Sequence, residues 1–114
     1  MEEDKIEKDD KIELIAELDE ANFFLGNEYY YEEHDYEKAI NNYKSVLENV
    51  KDDDIVRAKS LYWMGESYVK LNQINEAIET FSQLIEEFED HYLSASAQRR
   101  IAHLKEIYEG NEDE

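Results

Sequence analysis

The 114-residue chain contains no cysteine, which excludes a disulfide framework, a zinc ribbon and a thiol nucleophile. It contains no proline, and glycine stands only at positions 26, 65 and 110. Nothing therefore punctuates the sequence into many short strands, and an all-helical domain is expected. Positive charge is scarce: 12 Lys and Arg stand against 31 Asp and Glu, for a net charge of −19. That balance argues against a reader of phosphate backbones, which needs Lys and Arg, and against an anionic membrane surface. No apolar run approaches the ~20 residues that a bilayer crossing needs. The start, Met1-Glu2-Glu3-Asp4-Lys5, lacks the basic segment and apolar core of a signal peptide. A soluble, cytoplasmic protein is expected, kept in solution by its self-repelling acidic surface.

What is present is a duplication. Phe23-Phe24-Leu25-Gly26-Asn27-Glu28-Tyr29 returns 39 residues later as Tyr62-Trp63-Met64-Gly65-Glu66-Ser67-Tyr68, and Ala39-Ile40 returns after 38 as Ala77-Ile78. A period of this size implies stacked helical units. Spacings of three and four predict five helices. The first, over 10–33, aligns Ile12, Ile15, Leu18, Ala21 and Leu25. The second, over 36–50, aligns Ala39, Ile40, Tyr43, Val46, Leu47 and Val50. The third, over 54–71, carries Leu61, Met64, Gly65 and Tyr68. The fourth repeats the pattern of the second with Ala77, Ile78, Phe81, Leu84, Ile85 and Phe88. The fifth, over 93–108, carries Ala97, Ile101, Leu104 and Tyr108, with Asp90 as its start signal and Gly110 as its stop. Short breaks at Glu33-His34-Asp35, Lys51-Asp52-Asp53, Asn72-Gln73 and Glu89-Asp90-His91 force neighbouring helices antiparallel.

The domain expected spans 12–109, with repeat one at 19–51, repeat two at 58–90 and a capping helix at 93–108. A charged N-terminus, 1–11, and an acidic tail, 110–114, flank it. Gly26 and Gly65 fall inside helices, where glycine costs up to ~1 kcal/mol relative to alanine. Close approach of each hairpin's second helix at Ala39 or Ala77 would offset that cost. Tyr29 and Tyr43, and Tyr68 and Phe81, would then fill the space between hairpins.

These residues resemble tetratricopeptide repeats. The family's first helix carries an aromatic, Leu-Gly and a Tyr three residues on, and Phe24-Leu25-Gly26 with Tyr29 and Trp63-Met64-Gly65 with Tyr68 are similar. Its second helix carries Ala and an aromatic four residues later, matched by Ala39 with Tyr43 and by Ala77 with Phe81. The chain departs from the pattern at Val46 and Leu84, where the family has a small residue, in lacking the terminal Pro, and in one extra residue between Tyr31 and Tyr36. The resemblance covers about 19–108, with Ala95 to Leu104 as a degenerate third first-helix: Ala95 echoes Ala58 and Ala102 echoes Gly65. It implies a short right-handed α-solenoid of antiparallel helical hairpins, two repeats and a capping helix.

The family lines its concave face with the first helix of each hairpin. Carried over, that puts Phe23, Asn27 and Tyr30, then Lys59, Tyr62, Trp63, Glu66 and Lys70, then Arg99, Arg100 and His103 in the groove. Tyr30 and Tyr62 are expected there, because Tyr29 and Tyr68 take the packing positions. Trp63 fits groove and core alike. Family members that clamp an acidic C-terminal peptide use five basic or amide positions, of which only Asn27 and Arg100 match; Phe23, Trp63 and Ser96 stand at the rest, so no two-carboxylate clamp is implied. Charge is uneven, with 19 acidic and 6 basic residues in 1–54 against 12 and 6 in 55–114. Arg99, Arg100, His103 and Lys105 form the one local basic cluster, which would polarise the groove.

No acid, base and nucleophile converge in the sequence, so no enzyme is expected. His34, His91 and His103 lack the helical spacing of a metal pair. Asp52-Asp53-Asp54 lacks the glycine and ligand spacing of an EF-hand and is read as a cap or linker. No metal and no cofactor are expected. The leading expectation is a non-enzymatic, monomeric adaptor binding a peptide or helix of a partner protein. The alternatives are a cytoplasmic chaperone for an apolar substrate, and a structural helical repeat that associates weakly with itself.

Overall fold

Aspartate side chains cap two of the helix starts. Asp35 accepts the backbone N–H of Lys38 at 3.2 Å, and Asp53 accepts that of Val56 at 3.1 Å, each satisfying a donor that a helix N-terminus leaves unpaired. The computed structural model describes the backbone of residues 21–112 and the side chains of residues 21–108. Residues 21–28 are α-helical and pass into a π-helical turn, Tyr29–Glu33, the two together forming α1. Then come α2 (Tyr36–Asn49), α3 (Asp54–Lys70), α4 (Ile74–Glu87) and α5 (Tyr92–Glu112). No strand occurs among the described residues. The segment 1–11 and the residues Ile12, Ile15 and Leu18 lie outside them.

Gly110 does not stop the last helix. No glycine adopts a positive φ, so Gly110 keeps a helical backbone and α5 runs on to Glu112. The left-handed residues that end helices are instead His34 (φ 54°) and Asn72 (φ 59°), 38 residues apart. After the second, Gln73 N–H reaches the Tyr68 carbonyl at 2.9 Å; after the first, Asp35 N–H reaches the Tyr29 carbonyl at 2.9 Å. One loop closes over five residues and the other over six. The extra residue of the first repeat is thus absorbed as the π-helical turn, where a single insertion fits without breaking the helix.

The stack is sequential: α2 packs on α3, α3 on α4 and α4 on α5. Ala39, Tyr43 and Val46 of α2 and Ala77, Phe81 and Leu84 of α4 are fully buried, as their spacing predicts. The glycines explain why each pair sits so close. A Cβ on Gly26 would lie 2.8 Å from Cε1 of Tyr43, and one on Gly65 would lie 2.6 Å from Cε1 of Phe81. The Tyr43 and Phe81 rings therefore lie within each hairpin, on the glycine of its own first helix, and not between hairpins as expected.

A buried arginine joins the two repeats. Arg57 of α3 donates to the carbonyls of Leu47 (2.9 Å) and Val50 (2.7 Å) at the end of α2 and pairs with Glu87 of α4 at 2.5 Å. These carbonyls lie at the C-terminal end of α2, where Lys51 Nζ also donates to the Leu47 carbonyl at 2.9 Å, so Arg57 and Lys51 together supply donors that the helix end lacks.

The face of α1 differs from the predicted one. Phe23, Gly26 and Tyr30 point inward, whereas Ala21 and Leu25 of the expected stripe are exposed. The core-facing line is set by the glycine that receives Tyr43, and Leu25 sits to one side of it.

Candidate functional site

The first helices of the hairpins, α1 and α3, together with α5, meet along one side of the stack. Trp63 of α3 holds edge-on contacts with Tyr30 and Tyr31 of α1 and with Tyr62 of α3, each at 5.3 Å between ring centroids. Next to this cluster Glu66 of α3 pairs with Arg100 of α5, Nε to Oε1 at 2.5 Å. Aromatic contacts tie α1 to α3, and the ion pair ties α3 to α5.

The expected groove residues separate into three groups. Phe23 and Tyr30 are core, 7% and 8% exposed. Tyr30 lies in the π-helical turn and is held inward, edge-on to Tyr36 and Trp63. Asn27, Glu66 and Arg100 are engaged inside the protein. Asn27 Oδ1 accepts the Tyr43 hydroxyl at 2.6 Å, and Glu66 and Arg100 hold each other. Tyr62, Trp63 and Lys59 are half-buried, and Lys70, Arg99 and His103 are exposed. Arg99 donates to Ser96 Oγ at 3.1 Å, while Lys59 and Lys70 form no ion pair among the described residues.

Tyr31 was not among the expected groove residues, yet it stands half-exposed against Trp63. Its signal was the mismatch between copies, where Tyr31 falls opposite Lys70. Burial, and then the Glu66 carboxylate, push the hydroxyls of Tyr31 and Tyr62 above the ordinary tyrosine range. Arg100 and then Arg99 act on Tyr62 in the opposite direction. Burial, followed by Glu66, pushes Tyr30 up to about 12. At neutral pH the cluster is an uncharged aromatic surface edged by a carboxylate and two guanidinium groups. Among the described residues no three metal-ligating side chains converge, and no helix is long and apolar enough to cross a membrane.

Helical hairpins stacked in chain order, each closed by an aromatic ring on a glycine, define a helical-repeat protein. The chain belongs to the tetratricopeptide repeat family, whose model matches residues 30–109. No curated protein and no solved structure matches it. Tetratricopeptide repeats generally mediate protein–protein interaction, and the family is typically non-enzymatic.

Proposed function

We propose that this protein is an adaptor that binds a segment of a partner protein across the face made by α1, α3 and α5. The observation that carries the reading is the aromatic cluster of Tyr31, Tyr62 and Trp63, left partly open beside the Glu66–Arg100 pair. Rigid aromatic side chains and arginine are the residues that most often carry interface energy. The cluster offers apolar area, and Arg99, Lys70 and His103 around it offer charge for orientation. Of the expected residues, Phe23 and Tyr30 support the face from beneath and Asn27 holds Tyr43, so they contribute through position.

Affinity capture from the source lysate tests this, comparing the parent with a Tyr31→Ala, Tyr62→Ala double variant whose helicity is checked by circular dichroism. The variant should recover at least tenfold less of each partner seen with the parent. Recovery of the same partners in the same amounts by a folded variant would place binding elsewhere.

A further inference from the structure

The repeat itself shows what fits the outward side of α1. On α3, the side that receives the preceding hairpin consists of Ser60, fully buried, Met64, 6% exposed, and Trp63, stacked on Tyr30 and Tyr31. The matching positions of α1, 39 residues earlier, are Ala21, Leu25 and Phe24. All three are exposed, Leu25 at 40% and Phe24 at 62%. This side of α1 has the character of a helix seat, and no described residue occupies it. The opposite end of the stack is built differently. Gln98 and Lys105 of α5 stand where α3 has the packed Leu61 and Tyr68, and both are exposed. At these two positions α5 is polar, although it exposes Tyr92, Ile107 and Tyr108 elsewhere, whereas α1 keeps apolar side chains in the places that packing uses elsewhere in the same molecule.

We infer that the outward side of α1 at Ala21, Phe24 and Leu25 docks a cationic amphipathic helix of a partner protein, seated there as α2 is seated on α3. The helical shape of the occupant follows from the α2–α3 contact. Its charge follows from the surroundings. No Lys or Arg occurs from 12 to 37, a stretch with nine carboxylates, and Glu28, Glu32 and Glu33 are exposed beyond Leu25 toward the C-terminus of α1, where the helix dipole adds negative potential. A second copy would bring the same carboxylates and its own net charge of −19 to the contact, which opposes self-association through this side. An apolar stripe flanked by Lys or Arg satisfies both the seat and its rim.

Calorimetric titration of the full chain with an 18-residue Leu/Lys helix, apolar at i, i+3, i+4 and i+7, tests the assignment. A scrambled peptide of the same composition and a Leu/Glu helix serve as comparisons. The Leu/Lys helix should bind at least tenfold more tightly than either. A Phe24→Ser, Leu25→Ser double variant should lose at least tenfold, while Tyr31→Ala, Tyr62→Ala should leave the affinity unchanged, which separates this side from the aromatic face. Equal binding of the scrambled peptide would reduce the effect to unspecific charge attraction and overturn the inference. So would a folded Phe24, Leu25 variant that binds like the parent, or a dependence on Tyr31 and Tyr62 instead. Concentration-dependent sedimentation abolished by the Phe24, Leu25 substitutions would assign the side to a second copy. Radical footprinting that finds Phe24 and Leu25 protected in the free monomer would assign it to the chain's own residues.

Discussion

In the first hairpin the Tyr43 ring lies on Gly26 and its hydroxyl is taken up by Asn27; in the second the Phe81 ring lies on Gly65, and Glu66, at the position of Asn27, reaches out to Arg100. The two pairs differ together. A buried tyrosine hydroxyl needs an acceptor, so Tyr43 ties Asn27 down. Phe81 makes no such demand, and its neighbour is left free to join α5. A difference between copies that reads in sequence as a difference in ligand contacts is therefore first a difference in how each hairpin satisfies its own core. The mismatch that does reach the surface is Tyr31 against Lys70, and Tyr31 lies in the π-helical turn that only the first hairpin contains.

The largest effect should come at the joint between the copies. Arg57→Leu removes the donor of the Val50 carbonyl, one of the two side-chain donors to the Leu47 carbonyl and the partner of Glu87, and should cost about 2–3 kcal/mol in urea unfolding. A loss under about 0.5 kcal/mol would mean that water replaces the guanidinium. Next are the glycines. Gly65→Ala should cost about 1–2 kcal/mol net, overpacking against Phe81 outweighing the helix preference of alanine. Gly26→Ala, with its nearest Tyr43 atoms at 2.8–3.1 Å against 2.6–2.9 Å for Gly65 and Phe81, should cost less; the reverse order would show that the first hairpin is the tighter one. The smallest change at neutral pH should be Tyr43→Phe, which turns the first core pair into the second and costs about 1 kcal/mol for the lost Asn27 bond.

The same contrast has a pH signature. Burial pushes Tyr30 up to about 12 and raises Tyr43 as well, whereas tyrosine in an unfolded chain titrates near ~10. The folded state holds these protons more tightly, so their contribution is complete below about pH 10 and is lost as pH rises toward 12. Urea midpoints for the parent should fall across that window, and Tyr30→Phe should flatten the fall. An unchanged slope would move the alkaline sensitivity to another group.

Much of the fold was legible because helical periodicity and caps are local. The faces of α2 and α4 are buried as their spacing predicts, the boundaries of α2 to α4 fall within about a residue of those expected, and Asp53 caps α3. The face of α1 was less legible. Its expected stripe through Ala21 and Leu25 is a real apolar pattern, but the core line is set by a ring arriving from another helix at Gly26. For the same reason Phe23 and Tyr30 were expected in the groove and lie inside. Tyr30 depends on how one inserted residue is wound, which residue types alone do not encode.

The sequence by itself determined the architecture: a 38- to 39-residue period, glycine and alanine at fixed places, and an acidic chain without cysteine or proline. These are properties of spacing and composition, and helix packing follows from them. The tertiary structure decided which repeated side chains are spent inside the molecule and which remain for a partner. That depends on pairs far apart in the chain, Asn27 with Tyr43, Arg57 with Glu87 and Glu66 with Arg100, and a hydrogen bond or ion pair exists only once folding has brought both members within reach.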